Sequence, residues 1–308
     1  MKRVLVTGAT GFIGRHCLSS LLTHGYEVYA TSLNVPKEDR SDIQWFQTNL
    51  LDPNQTWDVL ARIQPTHLLH FAWYVIPGKW ATSLENFQWV QASLRLLQRF
   101  SEHGGKRVVM AGSCAEYDWA HGFCSELVTP RNPNTFYGTC KNALRIMLEA
   151  YSHETGLSSS WGRVFNTYGP HEHAARLVPE VFRSLLKGNP ARCTHGNQIR
   201  DYLHVQDVAD GFVALLESDV TGPVNIASGR PVLLRDIIET IARQLGRPDL
   251  VELNAVPAPS NDPPLLVADV RRLSGEVGWS PRYTLADGLE HTGHWWKSRQ
   301  EIENSGTQ

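Results

Sequence analysis

Val4-Leu5-Val6-Thr7-Gly8-Ala9-Thr10-Gly11-Phe12-Ile13-Gly14 joins a short apolar run to three glycines set three residues apart. A continuous apolar run this brief suits a strand buried on both faces of a parallel sheet. The residues after Gly14 take a helical pattern through Leu21 and Leu22, with a stop at Gly25. A glycine turn between a strand and a helix lets the backbone approach a phosphate, which the unpaired N–H groups of the helix N-terminus then face. The spacing is Gly-x-x-Gly-x-x-Gly rather than the common Gly-x-Gly-x-x-Gly of dinucleotide sites. Gly8, Gly11, Phe12, Ile13 and Gly14 are therefore the expected cofactor cradle.

The pattern repeats along the chain. Glu27–Thr31, Ile43–Phe46, His67–Phe71 and Val108–Ala111 read as further strands, with helical stretches such as Phe87–His103 between most of them. Alternation of this kind predicts an α/β fold, a doubly wound parallel sheet with helices on both faces. At 308 residues the chain has room for one large domain or two small ones. Beyond Phe165 loops lengthen and prolines gather at 257, 259, 263 and 264, which predicts a smaller, interleaved second lobe.

Bulk properties exclude several classes. The net charge is −2 and no basic block stands out, so nucleic acid is not an expected partner. The apolar opening run is too short for a signal peptide or a membrane span. Five cysteines lack Cys-x-x-Cys spacing, which suits reduced thiols and a cytoplasmic location. The histidines show no metal-ligand motif, and no metal is expected.

Phe136-Tyr137-Gly138-Thr139-Cys140-Lys141 carries the chemistry. Positions four apart share one helix face, so Tyr137 and Lys141 are neighbours. An ammonium beside a phenol lowers the phenol's pKa, and the pair can exchange a proton with a sugar hydroxyl. Asn134 or Thr135 caps this helix, Gly156 ends it, and Leu144, Met147, Leu148 and Tyr151 form its expected core stripe. Ser113 follows the strand Val108–Ala111, where ligands of a doubly wound sheet bind. Ser113, Tyr137 and Lys141 are the expected catalytic set.

Taken together, these motifs resemble the extended short-chain dehydrogenases/reductases that act on nucleotide sugars. The resemblance runs almost the whole length. It is carried by the glycine loop, by His70-Phe71-Ala72-Trp73 against the family's His-x-Ala-Ala, and by the triad. Arg163–Pro170 against Arg-x-x-Asn-x-Tyr-Gly-Pro, Arg176-Leu177-Val178-Pro179, the run Arg200–Asp207 and Gly278-Trp279-Ser280-Pro281 complete it. It implies a Rossmann-type lobe over 1–165, with 197–227 returning to it. Residues 166–196 and 228–300 would form a substrate lobe, and 301–308 a disordered tail. It also implies that Phe71 and Ala72 adjoin the cofactor, and that Lys141 holds the nicotinamide ribose. Asn166 and Arg200 would meet the substrate diphosphate, with Arg176, Leu177, Val178 and Cys114 near the substrate. A homodimer through paired helices is expected by the same analogy, with Val90, Leu94 and Leu97 as one stripe that serves either that contact or the core.

Cofactor choice turns on the end of the second strand. An acid there would hold the ribose of NAD, but Thr31-Ser32-Leu33-Asn34 contains none. NADP is therefore favoured over NAD, with Ser32 as a ribose-side contact and Arg15, Lys37 and Arg40 as candidate phosphate partners. Asn49 and Leu50, after the third strand, border the adenine in this reading.

Departures from the family narrow the reaction. Sugar dehydratases place an acid pair after the triad serine or threonine, where this chain has Cys114-Ala115; Glu116 lies one step further as a displaced acid. Ser93 falls where an asparagine-containing segment is usual, and Ser260-Asn261 precede Asp262-Pro263 where an arginine is usual. The expected activity is reduction of a nucleotide-linked 4-keto-(deoxy)sugar. The alternatives are epimerisation through a transient ketone and a dinucleotide sensor without catalysis.

Overall fold

The structure, a computed structural model, describes residues 2–36 and 41–305. Strands β1 (Arg3–Thr7), β2 (Glu27–Ser32) and β3 (Ile43–Gln47) are followed by β4 (His67–His70) and β5 (Arg107–Ser113). Helices α1 (Gly14–Thr23), α2 (Pro53–Ile63) and α3 (Glu85–Glu102) connect them. The run then passes through β6 (Phe123–Cys124), α4 (Phe136–Thr155), β7 (Ser158–Val164) and β8 (Asn166–Tyr168). The rest comprises α5 (Leu177–Leu186), β9 (Ala191–Arg192), β10 (Ile199–His204), α6 (Val205–Glu217) and β11 (Gly222–Ile226). Last come β12 (Pro231–Leu233), α7 (Leu234–Leu245), β13 (Val251–Glu252), β14 (Leu265–Ala268) and α8 (Leu285–Ser305).

Seven parallel strands form the main sheet in the order β11-β7-β5-β4-β1-β2-β3. This is a Rossmann-type sheet, and its order reverses between β1 and β4. In sheets of this kind ligands bind at such a reversal, beyond the carboxyl ends of the strands. Its two faces bury separate apolar cores. One holds Leu18 and Leu21 of α1 with Val208, Phe212 and Leu216 of α6. The other holds Leu60 of α2, Leu96 and Phe100 of α3, and Leu144 and Leu148 of α4.

A second sheet runs β12-β10-β14-β6, with β8 paired to β10. Helices α5, α7 and α8 enclose its own core around Phe182, Ile237, Ile241 and Leu289. Chain segments are thus exchanged between the sheets. The two-residue β6 leaves the first half for the second sheet, and β11 comes back to edge the first. Within 197–227, β10 belongs to the second sheet, so the return begins at α6. The tail expected from 301 is helical as far as Ser305.

Two helix faces differ from the pattern. Leu97 is core, whereas Val90 and Leu94 are half-buried. Met147, expected inside, is half exposed because α4 packs on the sheet through Leu144 and Leu148. No helix of the described residues is long and apolar enough to cross a membrane.

Candidate active site

The glycine loop closes on itself. Gly11 N donates to Gly8 O at 2.9 Å, and Gly8 adopts a left-handed φ of 66° that other residues resist. A β-carbon on Gly14 would lie 2.3 Å from Gly8 O, and one on Gly8 would lie 2.8 Å from Ala72 N. The loop therefore packs directly against the end of β4. At the start of α1 neither a side-chain cap nor an acid occupies the first turn; Arg15 N and His16 N donate to Gly11 O and Ile13 O, so the loop and the positive end of the helix, with no acid to oppose it, face an anion. These residues fit a dinucleotide's pyrophosphate. Phe12 and Ile13 are half-buried beside them.

Of the other expected cofactor residues, Ser32, Phe71 and Ala72 lie against this loop. Ser32 Oγ meets Thr10 Oγ1 at 3.0 Å and donates to Asn34 O at 2.8 Å, so the end of β2 is tied to the loop without an acid. Phe71 packs edge-on against Phe212, and Ala72 is buried against Gly8. The Asn49 carboxamide accepts from Leu51 N and caps its own turn, whereas the Leu50 side chain is buried. Arg15 turns from β2 toward Thr10 O and the His171 ring. Lys37 and Arg40 lie outside the described residues.

The triad converges at the carboxyl end of β5. Thr135 caps α4 by accepting from Gly138 N, and Gly156 ends the helix in a left-handed turn. Ser113 Oγ accepts from Ala115 N at 3.2 Å and lies beside the Tyr137 phenol. The Lys141 ammonium donates to Ala111 O at 2.8 Å and lies 6.0 Å from the Tyr137 ring centre. Burial pushes the phenol well above its ordinary value, and the hydrogen bond from Ser113 pulls part of the way back. Burial also draws Lys141 down to about 7. What pulls the phenol down is Ser113 and then Arg176, not the lysine neighbour as expected, and desolvation outweighs both.

Glu116 is not a displaced catalytic acid. Its side chain is fully buried and accepts from Arg163 Nε, Trp161 Nε1 and Ser113 N. It braces the turn that presents Ser113. His70 is likewise structural, since its ring bridges Thr7 and Ser93 hydroxyls at 2.7 and 2.8 Å.

Aromatic side chains that sequence reasoning did not single out surround the triad. Trp80 and Trp73 both meet the Tyr137 ring edge-on, with centres 4.9 and 6.4 Å away. Buried Asn86 accepts from the Trp73 indole and donates to Trp80 O and Ser83 O, fixing both rings. The signal was Trp73 itself, a large ring where the family segment carries alanine.

A cavity of about 300 Å³ lies between the second sheet and α5. Asn166, Arg176, Leu177 and Arg200 line it, as do Gln198, Tyr202 and Asp262. Asn166 donates to Asp201 O. Arg200 pairs with Asp262, not with Asp201 or Asp207, and Gln198 donates to the same carboxylate. Asp201 instead accepts from Ser228 and Gly229, and Asp207 from the backbone of Arg282 and Tyr283. Val178 does not reach the cavity, because the helical turn after Leu177 points it into the core. Cys114 is half-buried beside Ser113 and away from the cavity lining. All five cysteines are free, and the described residues hold no cluster fit for a metal ion.

Residues 4–227 match the model of the NAD dependent epimerase/dehydratase family. The chain belongs to that family. It is 27% identical to the UDP-glucose 4-epimerase of Halalkalibacterium halodurans, over 96% of this chain and 95% of that protein. It is 25% identical to UDP-glucuronic acid decarboxylase 1 of Xenopus tropicalis, over 98% of this chain and 73% of that protein. Among solved structures it resembles MoeE5 in complex with UDP-glucuronic acid and NAD. That match has 28% identity and a TM-score of 0.82, over 96% of this chain and 99% of the other.

Proposed function

We propose that this family member reduces the ketone of a nucleotide-linked 4-keto-(deoxy)sugar. The observation that carries the reading is the buried Tyr137 phenol beside Ser113, where burial favours the uncharged form. A protonated phenol is the donor that a ketone oxygen needs on reduction. Tyr137 gives its proton to that oxygen, and the Ser113 hydroxyl donates a hydrogen bond to the same atom. Lys141 holds the nicotinamide ribose and steadies the phenolate that remains. The bound dinucleotide supplies the hydride. Dehydration is disfavoured because Cys114-Ala115 stand where an acid pair is needed and Glu116 is held by Arg163.

The cavity around Arg200 and Asn166 takes the nucleoside diphosphate, an arginine fork matching paired phosphate oxygens. NADP is favoured over NAD because the end of β2 offers Ser32 and Asn34 and no acid to repel a 2′-phosphate. Exposed Phe87, Ile146 and Met147 on the neighbouring helices α3 and α4 support a homodimer, which light scattering would test.

Epimerisation is the second reading, favoured by the epimerase among its relatives. One assay separates the two. Purified protein is mixed with NADPH or NADH and a panel of dTDP-, UDP-, GDP- and CDP-linked 4-keto sugars. Reduction consumes one nicotinamide per sugar, whereas epimerisation interconverts sugars without net consumption. No turnover with any sugar nucleotide, in wild type and Tyr137→Phe alike, would favour a sensor.

A further inference from the structure

Lys141 has an unusual surrounding for a buried ammonium. It is only 4% exposed, and among the described residues no carboxylate pairs with it. Glu116, on the turn after β5, is the acid that favours its charge, but that carboxylate is taken up by Arg163 and Trp161. His70, at the end of β4, offers no counter-charge, because burial and then Lys141 itself draw it down to about 3. Tyr137, on the same helix, is held uncharged by burial. What faces the ammonium is the Ala111 carbonyl at 2.8 Å and the Trp73 ring, whose centre lies 3.6 Å from Nζ, with the Trp161 ring further off at 5.9 Å.

That ring is held in place from several sides. Its indole N–H donates to Asn86 Oδ1 at 2.8 Å, and Asn86 is fully buried. The Asn86 amide is itself fixed by Trp80 O at 2.7 Å and Ser83 O at 2.9 Å. Trp89 packs against the indole with centres 6.3 Å apart. A tryptophan face is the strongest aromatic partner for a cation, and its attraction grows when water is excluded.

We propose that Trp73 is a positioning residue: its indole face aims the Lys141 ammonium and offsets part of the cost of burying its charge, in the place of a carboxylate. The consequence for turnover rests on the catalytic reading of Tyr137 and Lys141, but the hold on the charge does not. A carboxylate here would neutralise the cation and add a second acid beside the reacting carbonyl. A π face holds the charge while leaving it free to favour the phenolate.

The test titrates Lys141 directly. Protein with 13C-labelled lysine is followed by NMR across pH in wild type, Trp73→Phe and Trp73→Leu, with Lys141→Arg to assign the signal. Circular dichroism checks that each variant is folded. The Lys141 midpoint is expected to fall by about half a unit with phenylalanine and about one unit with leucine. Trp73→Phe keeps a ring in the same space, so it serves if Trp73→Leu fails to fold. Midpoints equal in all folded variants would overturn the proposal. In the same proteins the basic limb of kcat/KM should move with the NMR midpoint. A midpoint that moves beneath an unmoved limb upholds the ring's hold on the charge and refutes the catalytic reading of Lys141.

Discussion

Glu116 and Arg163 form an ion pair at 2.8 Å with neither side chain open to solvent. The pair joins the turn after β5 to the carboxyl end of β7. Arg163 also donates to the Tyr117 hydroxyl, which donates in turn to Asn225 Oδ1 on β11. One buried network thus ties three strands of the main sheet beneath Ser113. Removing one partner of a buried pair leaves the other charge without compensation, which costs about 3–5 kcal/mol. Glu116→Gln should therefore lower the free energy of unfolding by that amount in urea titrations. A variant as stable as wild type would show that Glu116 does not brace the turn.

Gly138, between Tyr137 and Lys141, sets how closely α4 meets that turn. A β-carbon there would lie 2.2 Å from Ala115 O and 2.9 Å from the Pro133 side chain. The backbone at Ala115 has little freedom to give way, because its turn is held by Ser113 and Glu116. Gly138→Ala should push the helix away from β5 and separate the phenol from the Ser113 hydroxyl. The expected result is a fall in kcat of about a hundredfold, the scale of effect that misplacing a reacting group has. KM for the nucleotide sugar should change less than kcat, since Asn166 and Arg200 lie on β8 and β10 rather than on α4. Steady-state kinetics on the active substrate would check this, and an unchanged kcat would refute it.

The glycine loop, the main strands and the triad were legible because each follows from local rules. Buried parallel strands read as apolar runs, glycines mark a close approach, and an i, i+4 pair fixes one helix face. What lay beyond local pattern was partner choice across the sheet. Whether Glu116 faces the crevice or the core depends on Arg163 and Trp161, which lie over forty residues away. Arg200 stands next to Asp201 in sequence, yet its ion-pair partner Asp262 comes from a loop 62 residues on. A two-residue strand such as β6 has no periodicity to read, so its move to the second sheet was invisible. The aromatic wall around Tyr137 was present in the sequence as Trp73, Trp80 and Trp89, but only Asn86 makes it a unit.

Buried histidines make stability fall on mild acidification. Burial draws His70 and His204 down to about 3, and His67 and His171 down to about 4. Each is neutral in the fold, while the unfolded chain takes up protons near pH 6.5. Their contribution is fully present above that pH and is lost as the pH drops toward 4. The urea midpoint should fall steadily between pH 7 and pH 5. His70→Asn should be less stable at pH 7 but show a shallower slope, because one proton-linked group is gone. Equal slopes in the two proteins would show that His70 is already charged in the fold.

Arg200 faces the cavity with its charge opposed by Asp262, which sets the sign of two substitutions. If the cavity takes a nucleoside diphosphate, Arg200→Met removes the attraction and leaves Asp262 to repel the phosphates. Affinity for whichever of UDP and dTDP binds wild type more tightly should drop at least about tenfold, or about 1.4 kcal/mol. Asp262→Asn removes the opposing charge and keeps a hydrogen-bonding group for Arg200 and Gln198. It should tighten the same nucleotide several-fold, with the gain shrinking at high salt as screening sets in. Titration calorimetry at two ionic strengths reads both effects. Tighter binding in Asp262→Asn with no loss in Arg200→Met would place the phosphates near the acid but away from the guanidinium, and so remove Arg200 from the site.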